Sequence, residues 1–231
     1  MIDNNIFKSN SLNETAVPVL TKEDIFEVCK SQSNHPYHLQ GTIDESRHVF
    51  IKNGLLFANQ SSKELKILEM GFGTGLNTIL TYRENCLTQK QIHYTAVEAY
   101  PLPASITDKL NYFDILEKPL QPVFNKMHQS NWYENIAFDN FVLNKIQADM
   151  LDLNLEDSFD LIFYDAFSPM QQPELWTFEV LHKIYEACNP AAILVTYCAA
   201  DEVKRTLEKI GFTVENLIGV NGKKQMIRAT K

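Results

Sequence analysis

The stretch EMGFGTGLN, residues 69–77, follows the apolar run LKIL and carries three glycines at alternate positions, Gly71, Gly73 and Gly75. Glycines so placed clear side chains from a strand-to-helix turn and let a ligand approach the backbone. Glu69, two residues before the first of them, sets the sign of that ligand. Its carboxylate repels a pyrophosphate and attracts an ammonium group. Three further acids close later apolar runs: Glu98 after YTAV, Asp149 in QADM, and Asp165 after LIFY. An acid ending the strand after a glycine turn suits the hydroxyls of a ribose, and one beside the next strand suits the amino group of an adenine.

No Gly-Lys-Ser/Thr follows the glycines, so the turn lacks the lysine and hydroxyl of a phosphate-binding loop. Its G-x-G-x-G spacing also differs from the G-x-G-x-x-G of dinucleotide-binding turns. A ligand with both an adenosine and a cation satisfies the whole set, and S-adenosylmethionine is that ligand.

The elements needed to gather these acids are legible from periodicity. Apolar strand candidates fall at 65–70, 92–98, 141–148, 159–164 and 191–197, with helix candidates at 76–85, 103–110, 173–187 and 201–210. Alternation of this kind predicts an α/β fold, a mostly parallel sheet covered on both faces, with ligands at the carboxyl ends of its strands. Gly211 then stops a helix, and strands at 212–218 and 225–230 joined by a turn at 220–222 make a C-terminal antiparallel hairpin. The ordering resembles a Rossmann-like class I methyltransferase with a seven-stranded sheet. Residues 111–140 fit neither period and are expected to form an inserted cap. Residues 1–62 are expected to be a small N-terminal extension packed on a main domain of residues 63–231, with 37–55 forming a short hairpin bounded by Gly41 and Asn53-Gly54.

Composition narrows the setting. The 231 residues suffice for one sizeable core, and neither a long apolar span nor a basic, apolar leader is present, so a cytoplasmic protein away from membranes is expected. The four cysteines, Cys29, Cys86, Cys188 and Cys198, form no metal-ligand spacing and read as packing residues; no metal is expected, and His35, His38 and His48 are too irregularly placed to be ligands. A net charge of −8 disfavours non-specific nucleic-acid binding, yet Lys204, Arg205, Lys209, Lys223, Lys224, Arg228 and Lys231 crowd the C-terminal segment.

GFGTGLN, the acid of VEAYPL, DAFSP followed by PELW, and the tail GFTVENLIGVNGKKQM together resemble the methyltransferase domain of the tRNA 5-methylaminomethyl-2-thiouridine biosynthesis proteins. DESRHVFIKNGL is similar to the segment that enters that domain, so the resemblance runs from about residue 37 to residue 231. It implies methyl transfer from S-adenosylmethionine to the amine of 5-aminomethyl-(2-thio)uridine at the tRNA wobble position. It also implies a functional link to the enzymes that install that amine, and a chain working without the FAD-dependent oxidoreductase domain of larger relatives. The implied cofactor contacts are Glu69, Gly71, Phe72, Gly73, Gly75, Asn77, Glu98, Asp149, Met150 and Asp165, and Lys223 and Lys224 are the implied contacts to tRNA phosphates.

Methyl transfer is an in-line displacement whose leaving group departs neutral, so positioning supplies much of the rate. An aspartate is a weak acceptor for an ammonium proton. Asp165 is therefore expected to orient the amine and stabilise the ammonium as it forms, with water taking the proton and with Phe167 walling the base or cofactor. Tyr164 and Trp176 read as packing residues. Two alternatives stay open: an aminopropyltransferase resembling spermidine synthase, whose polyamine pocket generally holds more acids than DAFSP offers, and a non-catalytic cofactor-binding subunit for RNA or a protein partner.

Overall fold

The candidates at 65–70 and 159–164 are buried on both faces, as central strands covered by helices on two sides are. In the computed structural model, which describes residues 36–58, 62–155, 158–220 and 225–231, the seven strand candidates become β1 (Glu64–Met70), β2 (Gln91–Glu98), β4 (Phe141–Gln147), β5 (Phe159–Tyr164), β6 (Cys188–Thr196), β7 (Thr213–Ile218) and β8 (Gln225–Thr230), and the inserted segment contributes β3 (Asn135–Phe138). They form one sheet in the order β3-β4-β2-β1-β5-β6-β8-β7. β1 lies parallel to β2 on one side and to β5 on the other, β4 and β6 extend the parallel set outward, and β8 pairs antiparallel with both β6 and β7. This is the α/β class I methyltransferase fold. The expected seven strands gain an eighth because β3, from the inserted segment, adds antiparallel to the edge of β4.

Alternation along β1 divides the core. Leu65 and Ile67 point into one apolar cluster with Tyr94, Phe141 and Phe163, while Leu68 and Met70 point into another with Ile162, Leu194 and Leu181. Among the helices covering the sheet are α2 (Leu76–Thr88), α5 (Phe178–Glu186) and α6 (Asp201–Ile210). α5 begins later than the sequence predicts. Pro173–Trp176 is a separate 3-10 turn, and Thr177, in extended conformation, caps the helix by accepting from the backbone N–H of Val180 at 3.4 Å. The candidate helix at 103–110 is a single turn, α3 (Ala104–Thr107). Among the described residues no helix is long and apolar enough to cross a membrane.

The hairpin expected at 37–55 is instead helical. α1 (Pro36–Ser46) runs into wider π-helical turns at Arg47–Leu55, continued by a five-residue hydrogen bond from Leu56 N–H to Ile51 O at 2.9 Å. Ile43, Val49, Phe50 and Ile51 are buried in the first cluster, an apolar spacing that a helix lying on the sheet uses and a hairpin does not. Gly54, read as a turn marker, is a packing position. A Cβ there would lie 2.9 Å from Val195 Cγ2 and 3.0 Å from Phe163 Cε1, so its missing side chain lets the helix settle on β5 and β6.

The inserted segment packs behind the glycine turn. It holds two 3-10 turns, α4 (Gln121–Gln129) and β3. Tyr112 Oη and Thr74 Oγ1 share a hydrogen bond of 2.7 Å, and His128 Nε2 donates to Thr74 O at 3.1 Å. The Phe72 ring packs against those of His128 and Trp132, 5.4 and 6.0 Å between centroids.

Candidate active site

The parallel strands end along one edge, and the backbone beyond β1 turns there. Gly71 N–H and Phe72 N–H both donate to Val97 O at the end of β2, while Asp165 N–H donates to Met70 O. The turn thus straddles β1, where the chain leaves for β2 on one side and for β5 on the other, the point at which open α/β sheets bind ligands. Gly71 has φ +92°, and a Cβ on it would meet Asp165 O at 2.8 Å. Gly73, with φ +49°, has nothing within 4 Å of where its Cβ would be and borders open space.

That space is a cavity of about 440 Å³, within the size range of small-ligand sites. Gly71, Phe72, Gly73, Asn77, Glu98, Asp149, Met150, Asp165 and Phe167 all line it. Glu69 and Gly75 are not among the lining residues. Gly75 caps α2 in the left-handed conformation, and Glu69 is buried beneath the turn with 1% of its surface exposed. Lys223 and Lys224 lie outside the described residues.

Geometry gives the lining acids different surroundings. Glu98 Oε2 accepts from Gly73 N–H at 2.9 Å and its Oε1 from Tyr100 N–H at 2.8 Å. Burial raises its pKa, and backbone N–H groups of Tyr100, Gly73 and Ala99 oppose the rise. Each oxygen keeps a lone pair for a ribose hydroxyl. Asp149 is exposed, with Oδ1 accepting from Leu151 N–H at 2.9 Å, beside buried Met150 and the aliphatic Leu102 and Ala148, a wall suited to a flat ring. Asp165 Oδ2 accepts from Asn77 Nδ2 at 2.8 Å, so the first turn of α2 holds the β5 carboxylate. A cavity with backbone exposed at Gly73, an acid at each of three strand ends and an apolar slot between two of them fits S-adenosylmethionine.

The loop after β5 is fixed from behind. Trp176 Nε1 donates to Phe167 O at 2.7 Å, Tyr197 Oη to Ala166 O at 2.8 Å, and Tyr164 Oη to Leu175 O. Tyr164 and Trp176 are buried with rings edge-on at 4.9 Å, so both pack, although Tyr164 also touches the cavity wall.

Sequence reasoning assigned nothing to α1, yet Thr42, Glu45 and Ser46 line the cavity, as does Phe50 beyond it. Burial foremost, then the charges of Asp165 and, more weakly, Glu45, hold the Tyr197 phenol protonated far above its ordinary range. The string DESRHVF marked this segment as familiar, but its polar residues carry no period that would reveal a lining face.

A family described as S-adenosyl-L-methionine-dependent methyltransferase matches residues 112–231, more than half of the chain. The chain belongs to that family. Among similar proteins is the tRNA 5-methylaminomethyl-2-thiouridine biosynthesis bifunctional protein MnmC of Marinomonas sp. (strain MWYL1), 29% identical over 80% of this chain and 29% of the relative. The protein of the same name from Cupriavidus necator is 29% identical over 94% of this chain and 34% of its own length. The chain thus spans about a third of these curated relatives. Among solved structures, MnmC2 from Aquifex aeolicus aligns with TM-score 0.61 at 23% identity, covering 81% of this chain and 60% of the other. The N-methyltransferase NodS from Bradyrhizobium japonicum, in complex with S-adenosyl-L-homocysteine, aligns with TM-score 0.53 at 13% identity, covering 89% and 96%. Both likenesses are of fold.

Proposed function

We propose that this methyltransferase acts on the primary amine of 5-aminomethyl-(2-thio)uridine at the tRNA wobble position, yielding the 5-methylamino form, in the cytoplasm and downstream of enzymes that install the amine. The observation that carries the reading is Asp165, fixed by Asn77 on the cavity wall at the end of β5. Its support is the extent of similarity to proteins named for this modification.

Bound S-adenosylmethionine supplies an electrophilic methyl group on a sulfonium. Glu98 holds the ribose hydroxyls, Asp149 and Met150 hold the adenine, and the bare backbone at Gly71 and Gly73 admits the remainder. Asp165 orients the substrate amine and stabilises the ammonium that develops as the nitrogen gains a fourth bond. Glu45, facing the same cavity from α1, adds a second negative charge that draws the cationic amine in, and that ammonium loses one proton to water before attack, which frees the nitrogen's lone pair. Phe167 walls the base, and the closed loop behind it keeps water from the nitrogen's attacking face. Water at the cavity mouth accepts the departing proton.

The test is incubation with labelled cofactor and total tRNA from cells lacking this methylation, followed by nucleoside analysis. Label is expected in 5-methylaminomethyl-uridines. Asp165→Asn is expected to lose about 100-fold in turnover, consistent with a misplaced reacting group, while cofactor affinity measured by calorimetry shifts by less than about tenfold. Label in protein or another nucleoside would reject the substrate, and undiminished turnover would remove Asp165 from the chemistry.

A further inference from the structure

The turn after β4 bears Asp149 and Met150, and a side chain distant along the sequence grips it. Lys183, on α5, donates from Nζ to Leu151 O at 2.8 Å and to Met150 O at 3.3 Å. Lys183 is half-buried, and its helix is anchored on the sheet by Val180, Leu181 and Ile184, which are buried in the same apolar cluster as Met150. The Met150 carbonyl and the Leu151 N–H belong to one planar peptide group. Its carbonyl end accepts from Lys183, and its N–H end donates to Asp149 Oδ1 at 2.9 Å. Rotation of that plane moves both ends together, so a hydrogen bond on the carbonyl sets the direction of the N–H and, through it, of the carboxylate. Asp152 N–H closes the turn by donating to Asp149 O at 3.1 Å, but it does not act on this peptide.

We propose that Lys183 is a positioning residue for adenine recognition: it locks the Met150–Leu151 peptide, which holds Asp149 Oδ1 and leaves Oδ2 for the 6-amino group of the cofactor's adenine. The inference rests on the assignment of Asp149 to the adenine given above, and it needs neither tRNA nor methyl transfer. Asp149 is exposed, and an aspartate on an exposed turn has several staggered rotamers within reach. One of them presents a free oxygen to the cavity wall, and the peptide N–H selects it. An ammonium is a stronger donor to a carbonyl than a neutral group is. It also polarises the peptide, so that the N–H at the far end bonds the carboxylate more firmly. A helix on one face of the sheet thereby fixes a side chain at the strand ends that it does not itself touch.

The experiment measures, by calorimetry, affinity for S-adenosylhomocysteine and for its analogue with purine in place of adenine, which lacks only the 6-amino group. In the unaltered chain the first should bind about 10- to 100-fold more tightly, the worth of one hydrogen bond to a carboxylate. Lys183→Met, which keeps the stem and removes the donors, should compress that ratio by about tenfold. Lys183→Arg, which keeps a cationic donor, should restore it to within about threefold of the original. Asp149→Ala should bring the ratio close to one, and adding Lys183→Met to it should leave the ratio there, the non-additivity of two residues acting in series. Thermal melting shows that each variant is folded. If Asp149→Ala keeps the preference, the adenine is held elsewhere, and both the assignment and the proposal fall. If Asp149→Ala loses it while Lys183→Met keeps it, the assignment stands and the proposal alone is overturned. A folded Lys183→Met that weakens both ligands equally would also overturn it, by giving Lys183 a purely structural role.

Discussion

Two glycines of one turn make separable predictions. Gly71 faces backbone, because a Cβ would meet Asp165 O at 2.8 Å, and an oxygen in the main chain cannot swing aside. Gly71→Ala should therefore lower stability by about 2–3 kcal/mol, through left-handed backbone strain and the overlap together, visible as a lower denaturant midpoint. Gly73 faces open cavity. Gly73→Ala should cost about 1–2 kcal/mol in strain, but its larger effect should be on ligand entry, weakening cofactor binding by about tenfold or more in calorimetry. Equal losses of stability and affinity in both variants would contradict this division. The same turn shows how far residue-level reading reached. Glycine spacing and strand-end acids pointed to Gly71, Gly73, Glu98, Asp149 and Asp165, all of which line the cavity, because each obeys a local rule. Glu69 is buried and does not line the cavity, and a strand residue's sequence does not say whether its side chain points to the ligand or into the sheet's covering.

Among the elements, the inserted segment acts on the active site from behind. His128 reaches Thr74 O, and its ring packs on Phe72 and Phe124, where burial foremost pushes its pKa down to about 4. The unfolded chain takes up this proton near 6.5 and the native one only near 4, so stability from His128 is present above 6.5 and is lost as pH falls toward 4. The loss is about 3 kcal/mol at most. His128→Gln should flatten that part of the melting curve against pH; an unchanged acid slope would assign it elsewhere. Gly54 tests the helical segment that packs into the same core cluster over β5 and β6. Gly54→Ala sets a methyl within 3.0 Å of two core side chains and should cost about 1–3 kcal/mol. A neutral result would mean that the π-helical turns shift freely on the sheet. These two segments were the least legible parts of the sequence. Both owe their conformation to residues distant along the chain, Gly54 to Val195 and His128 to Thr74, whereas β1, β2, β4, β5 and α6 announce themselves by local period.

At the scale of the whole molecule, charge and pH act in opposing ways. Glu69 should hold stability at low pH and release it as pH rises from about 4.5 toward 8, the reverse of His128. Glu69→Gln and His128→Gln together should therefore broaden the pH plateau in thermal scans. With an overall charge of −8, the proposed affinity for tRNA would have to come from local basic groups, for which Lys223 and Lys224 are the sequence candidates. Replacing either with alanine should make the slope of log affinity against log salt shallower by about one for each phosphate no longer neutralised. An unchanged slope would remove that lysine from the interface.

The strand order also governs how the chain can be synthesised. β7 leaves the ribosome before β8, yet its described ladder is with β8 alone, and β8 must slot between β6 and β7. Until Gln225–Thr230 is made, the nascent chain exposes β6 and β7 as two open edges, the kind of surface that recruits neighbouring polypeptides or chaperones. Translational pausing just ahead of β8 should accordingly be the step at which this protein is most prone to aggregate.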